Sequence, residues 1–463
     1  MATHIASLIR SISFITLAAT LSSSSLSYAN TQALLDLIAE PGSIGLGVIG
    51  QAEHSLYKGE ETRHDIEPAY LYENKHFFLH GSRLGLKLLD EPQHQIKLLL
   101  DHRFEGFADG PIPPPLLGLH ARNGGTDLGL SYRYSNSWGQ LETALLHDVS
   151  DTSKGSEVRL AYANDWQSGR WHFRPSVSLS LRDAKLNNYY YGVQADEVSA
   201  GRAHYMPGVA KQLSLNLHAA YDLTARWRLL GGVGINLLDK NIADSPIVAS
   251  NRQTTVSLGA VYDFGDSQHK IEAAQPLHAK LLYGNASDCN LLPVMTLRCT
   301  DTHTDSNTSI AGVHIGKTLI EKANDWPLDF VGYIGVLQHA ENHYQSNSLQ
   351  LDAYVKAFYY GFPWAERIRT RLGFGMGLSL AQRVPYVEQQ DQIRRNRNTS
   401  KLLNYLDPSI DISVGDLIGS RRLKETYFGF GASHRSGIFG SSKLLGNVNG
   451  GSNYLYTYIE TAM

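Results

Sequence analysis

From Val256 to Phe264 the side chains change character at every step. Val256, Leu258, Ala260, Tyr262 and Phe264 alternate with Ser257, Gly259, Val261 and Asp263. A period of two is the mark of a β-strand with two unlike faces. The pattern recurs in Leu128, Leu130, Tyr132 and Tyr134, in Trp171 to Leu181, in Leu213 to Tyr221 and in Trp227 to Leu237. It returns in the second half at Leu351 to Tyr359. In Ile368 to Leu380 the opposite face carries Gly373, Gly375 and Gly377. Glycines on one face let backbones approach in a narrow barrel or bend a strand. Other stretches break the pattern. Thr31 to Glu40 is a short amphipathic lead-in, Asp266 to Thr308 reads as linker plus loop, and Gln389 to Gly419 as a long loop or short helix.

Alternation suits a soluble sandwich and a membrane barrel equally well. In the barrel the apolar face meets lipid and the polar or small face lines the lumen. Several alternating segments reach the nine to eleven or so residues of a membrane-spanning strand, and carry aromatics at their ends. The N-terminus decides between the two. Met1 to Asn30 has a basic start ending at Arg10, an apolar run from Ile12 to Leu21, and Ser27-Tyr28-Ala29. These features predict a signal peptide cut after Ala29. No later stretch approaches the ~18 apolar residues of a membrane helix. Export without a helical anchor predicts the cell outer membrane. The excess of 25 Tyr over 14 Phe suits interfacial girdles. A net charge of −3, with scattered Lys and Arg, argues against nucleic acid as a partner.

The Tyr-x-Phe ending at Tyr262 and Phe264 is a finish common to the last strand of outer-membrane barrels, yet nearly 200 residues follow it. This predicts a first barrel closing near residue 264 and a second β-rich module beyond. One larger fused barrel stays open as an alternative. The two cysteines, Cys289 and Cys299, are ten apart. In an oxidising compartment a local disulfide is expected. Metal binding would need partners that the neighbourhood lacks, and neither a metal nor a cofactor is expected.

Specific wording then appears. Gly81-Ser82-Arg83-Leu84-Gly85, Arg103-Phe104-Glu105-Gly106, Ser137-Trp138-Gly139, His147-Asp148 with Lys154-Gly155, Tyr190-Tyr191-Gly192-Val193, Tyr205-Met206-Pro207-Gly208 and Asp244-Ser245-Pro246-Ile247-Val248 follow in order. Residues 41 to 265 thereby resemble the MipA/OmpV family. The resemblance implies an outer-membrane barrel of about a dozen strands. The family is named for interaction with a lytic transglycosylase, which implies a scaffold between murein hydrolase and murein synthase. It implies no catalytic constellation, and His147-Asp148 reads as a solvated turn.

Near the C-terminus, Phe428, Phe430 and Ala432 share a strand face with His434 and Ser436. A base and a nucleophile at the bilayer edge suit attack on a lipid ester. The segment from His434 to Asn453 resembles PagL-like lipid A 3-O-deacylases, eight-stranded barrels with a His-x-Ser signature and a carboxylate on the next strand. His434 and Ser436 match the dyad. The acid falls near Asn453, an amide, and the Asn following the family's Ser is Gly437 here. An Asn can hold a His tautomer, as in Cys-His-Asn sites. Asp411 or Asp416 are alternative orienting acids, while Glu460, seven residues beyond Asn453, sits too far along the strand.

The expected class is therefore all-β: a transmembrane antiparallel barrel of about 12 strands followed by a smaller one of about eight. The expected divisions are 1–29 signal, 30–265 first barrel, 266–309 linker with the cysteines, and 310–463 second barrel. The leading functional expectation is an envelope scaffold, with lipopolysaccharide as surroundings and murein enzymes as partners. An acyl-ester hydrolase acting on lipid A is the alternative. A passive pore has less support, because no charged constriction can be read from the sequence.

Overall fold

The computed structural model describes residues 31–107, 112–264, 276–296, 298–302, 304–437 and 442–462. The expected signal segment lies outside them. The first barrel begins with β1 (Ile44–His54), β2 (Thr62–Glu73), β3 (Phe77–His80) and β4 (Arg83–Asp90). It continues with β5 (His94–Arg103), β6 (Gly125–Asn136), β7 (Gly139–Asp148) and β8 (Ser156–Ala163). The short β9 (Trp166–Ser168) prolongs the line of β8, and β10 (Trp171–Arg182), β11 (Ala210–Asp222), β12 (Trp227–Leu238) and β13 (Arg252–Asp263) complete the wall. Each strand pairs antiparallel with its neighbours, and β13 returns to β1 with Gly45 opposite Asp263. Twelve strands thus close a ring, and the Val256–Phe264 alternation ends its last strand.

The second ring is a closed barrel of β14 (Leu277–Ser287), β15 (Ser309–Ile320), β16 (Leu328–Ala340), β17 (Ser348–Tyr359), β18 (Thr370–Ala381), β19 (Leu402–Ser413), β20 (Thr426–Ser436) and β21 (Asn453–Ala462). Two expectations need correction. The stretch 266–309 is not all linker, because Leu277–Ser287 is the strand that closes on β21. Gln389 to Gly419 holds the end of the helix Tyr386–Arg394, but also the whole of β19. In β19 the inward face is Tyr405, Asp407, Ser409 and Asp411, and Pro408 interrupts the outward one. A lumen that wants charge hides the strand's apolar signal.

In both barrels the apolar residues are outside. Leu128, Leu130, Leu215, Leu217, Leu258, Leu281, Ile315 and Ile334 are exposed, while Glu157, Arg182, Ser257, Lys280, Asp407 and Glu460 are buried. That inversion is the signature of a wall solvated by lipid. In the first barrel most strands join through short turns at one end and through long connections at the other. Short turns face the periplasm in outer-membrane barrels, so the long-connection end is the outer one.

The wall of the first barrel has one thin place. With only four residues in β3, β2 pairs with it from Leu71 to Glu73. Pro68 and Tyr70 of β2 face outward and are nonetheless buried. The second barrel covers them: the Tyr70 hydroxyl donates to the Gly377 carbonyl at 3.0 Å and bonds the Asn404 side chain. Phe104 packs against Leu403, Leu444, Leu445 and Val448, and Phe264 meets Phe330 with ring centres 4.3 Å apart. A proline, which has no N–H to offer a neighbour, suits such an edge.

Candidate functional site

Two places gather chemistry. The first is the lumen of the twelve-stranded barrel. The lead-in Thr31–Ile38 forms a helix that lies inside it, with Leu34, Leu35 and Ile38 buried against Ile49, Ala69, Leu71, Ala220, Leu230 and Val261. Polar contacts hold it there. Asp36 pairs with His80 at 2.5 Å and Arg83 at 3.4 Å, Gln51 donates to Thr31 at 2.6 Å, and Arg228 donates to the Ile38 carbonyl at 2.7 Å.

At the outer end, Leu56, Tyr57, Phe107, Leu116, Leu186, Tyr190, Tyr191 and Ile247 pack into an apolar cap. Arg122 fastens it through a two-pronged bond to Glu197 at 2.7 and 2.8 Å. Burial pushes the Glu197 carboxyl upward, but the Arg122 bonds and the backbone donors of Gln194 and His120 outweigh it and hold the group below the usual carboxylate range. Between helix and cap lies a cavity of about 290 Å³ lined by charge. Arg103 reaches Asp127 at 2.5 Å, Glu157 at 2.9 Å and Glu105 at 3.1 Å, and Arg182 reaches Glu105 at 2.5 Å. Arg133 pairs with Glu142 at 2.7 Å. The sequence gives no sign of this belt, because its members come from different strands.

The family-like wording falls on these same parts. Ser82 and Arg83 hold the helix, Arg103 and Glu105 belong to the belt, and Tyr190, Tyr191, Val193, Ile247 and Val248 build the cap. Asp148 of the His147-Asp148 pair accepts from Ser150, Ser153 and Lys154, a task of turn-building.

The second place is the outer end of β20 and β21. His434 and Ser436 share the outward face with Phe428 and Phe430, as the alternation predicts. Asn453 stands opposite His434 in register, and His434 Nδ1 lies 2.6 Å from Asn453 Oδ1. Asn453 Nδ2 donates to the Cys289 carbonyl at 2.9 Å. The cysteines form the expected disulfide, with Cα atoms 5.8 Å apart. The helix Leu291–Met295 within their loop lies along the outside of the barrel, with Val294 and Cys289 clustered with Ala432 and Leu455.

The alternative acids are elsewhere. Asp411 faces the lumen and binds Arg371 at 2.8 and 2.9 Å, and Glu460 pairs with the same Arg371 at 2.9 Å. Asp416 sits in a turn at the opposite end, bound to Arg369 at 2.9 Å. None of the three orients His434: Asp411 and Glu460 point into the lumen while His434 points outward, and Asp416 lies at the far end of the barrel.

Comparison with known proteins agrees with this division. The family model for MltA-interacting protein MipA matches residues 44–264. The chain is 27% identical to the MltA-interacting protein of Escherichia coli strain K12 over 224 residues, 48% of this chain and 90% of that relative. It is 29% identical to the outer membrane protein OmpV of Vibrio cholerae over 147 residues, 32% of this chain and 57% of that one. Among solved structures, LpxR from Salmonella typhimurium is 10% identical over 66% of this chain and 88% of its own, at a TM-score of 0.18. A superposition that poor carries no argument. Over residues 44–264 the chain is thus similar to the MipA family, and the protein is an outer-membrane β-barrel protein.

Proposed function

We propose that this protein is an envelope scaffold whose first barrel docks a lytic transglycosylase, and through it a murein synthase, at the periplasmic face of the outer membrane. The observation that carries the reading is the match of the first barrel to nearly the whole of a relative named for that interaction. The interior supports it too. A lumen closed by an apolar cap and an inserted helix leaves surfaces, rather than a channel, as the working parts. Retention of a purified lytic transglycosylase on the immobilised full-length protein is the test, with the Escherichia coli relative as the positive control. Retention by the control and none by this chain would sink the reading.

A second reading has its own support. The 2.6 Å contact between His434 and Asn453, on a lipid-facing strand at the outer end, is the arrangement an acyl-ester hydrolase working on lipid A would use. In it Ser436 is the nucleophile, His434 the base and Asn453 the residue that holds the ring. Ser436→Ala should then abolish acyl release from lipid A while leaving heat-modifiable migration intact. Intact lipid A after incubation with folded wild-type protein would remove this second reading and leave the first standing.

A further inference from the structure

We propose that the disulfide-closed loop is a positioning element for His434, acting through the Asn453 carboxamide. The proposal rests on the hydrolase reading for its consequence, though not for its geometry. A carboxamide can present either its oxygen or its NH₂ to a neighbour. At Asn453 the choice is made from behind: the Cys289 carbonyl accepts only from Nδ2, at 2.9 Å, which turns Oδ1 toward the ring. Oδ1 can only accept, so the proton of the neutral imidazole sits on Nδ1, and Nε2 becomes the basic nitrogen. A residue two strands away in the ring, on a loop, therefore sets which nitrogen of His434 can take a proton.

The loop is built to hold that carbonyl still. The Ser287 hydroxyl donates to the Asp301 carbonyl at 2.5 Å and accepts from the Cys289 N–H at 3.2 Å. Cys289 is 5% exposed, and Val294 anchors the loop against Ala432 and Leu455. The disulfide ties Cys289 to Cys299 across this anchor. The arrangement also explains an amide where a carboxylate would be expected. An Asp at 453 would set one oxygen against the Cys289 carbonyl, acceptor against acceptor, so the loop and the Asn belong together.

The test is nitrogen-15 NMR of histidine-labelled, full-length protein in detergent, with the His434 resonances identified by their loss in His434→Asn. In the folded, oxidised protein His434 should show the Nδ1–H tautomer. Reduction of the disulfide after folding should move it toward the Nε2–H form that free histidine prefers. Asn453→Ala, with the disulfide intact, should produce the same move. An unchanged tautomer after reduction, in a protein whose Asn453→Ala variant does shift, would overturn the proposal. So would an Nε2–H tautomer in the oxidised wild type. Acyl release is read separately, and should fall with reduction in parallel with the tautomer. A tautomer that behaves as expected in a protein that never cleaves lipid A would end the hydrolase reading and leave the positioning role in place.

Discussion

The two barrels solve the same problem, what to put inside, in opposite ways. The eight-stranded one is solid. Lys280 sits between Asp407, at 2.9 Å, and the rings of Tyr333, Tyr354, Tyr456 and Tyr458, each 5.3 to 5.4 Å away. Lys356 approaches Asp407 at 3.1 Å from another side. Gly429 and Gly431 make room for this filling, since a Cβ on either would stand 2.5 and 2.7 Å from the rings of Tyr458 and Tyr456. The twelve-stranded barrel is too wide for side chains to meet across it, because diameter grows with strand number. It borrows a helix for one end and loops for the other, and keeps a charged cavity between. Equal chemistry therefore carries unequal weight: an ion pair in the narrow barrel is a core contact, and one in the wide barrel borders a cavity.

The sharpest check on that difference is a matched pair of substitutions. Lys280→Met leaves Asp407 buried with only Lys356 and the Tyr456 hydroxyl as partners, and should destabilise the second barrel by about 4 kcal/mol. Glu142→Gln in the first lumen, where Arg133 and Glu142 keep partial access to the cavity, should cost about 1 kcal/mol. Urea titration of heat-modifiable migration compares them, and equal losses would erase the distinction. Next in size is the inserted helix. Leu35→Ala removes a fully buried side chain and should cost about 3 kcal/mol. The loss should show as faster thiol labelling of a Ser214→Cys reporter, which lines the cavity that the helix bounds.

The cap comes third. Glu197→Gln removes the charge and one of the two acceptors that Arg122 binds and should loosen the cap by about 2 kcal/mol, read as faster protease nicking between β10 and β11. Its pH dependence has a definite sign. Because the folded carboxyl is held below its unfolded value, the contribution is fully present above the unfolded pKa of ~4.3 and fades as pH falls through the folded value. Nicking that speeds up on raising pH instead would contradict the pairing. The smallest effect is expected where the barrels touch. Tyr70→Phe deletes one hydroxyl bonded to Gly377 and Asn404, worth about 1 kcal/mol. The loss should show as a small fall in the urea midpoint of heat-modifiable migration relative to the wild type.

Most of the wall was legible in the sequence, because outward positions answer to a single uniform solvent. Leu213 to Tyr221 and Trp227 to Leu237 read as strands and are strands. What resisted reading faces inward. In β19 Asp407 and Asp411 obscure the alternation, and in β14 the lumen face mixes His278 and Lys280 with Leu282, so the two faces do not separate cleanly. The pairing of His434 with Asn453 could be anticipated because it needs only a two-residue step and one neighbouring strand. The Cys289 carbonyl, the helix in the lumen and the Tyr70 contact could not, since each depends on a register accumulated over many strands.

The four-residue β3 has a consequence for how the molecule is made. Without β18 and β19 the outward Pro68 and Tyr70 of β2 would meet hydrocarbon with the Tyr70 hydroxyl unpaired, and an unpaired polar group there costs several kcal/mol. Synthesis delivers that edge early and its cover late. The first barrel can close on itself, but its side at β2 is covered only when the second barrel stands beside it. β13 pairing with β1 closes the first ring and β21 pairing with β14 the second, so the cover over β2 is a third joint the fold has to make.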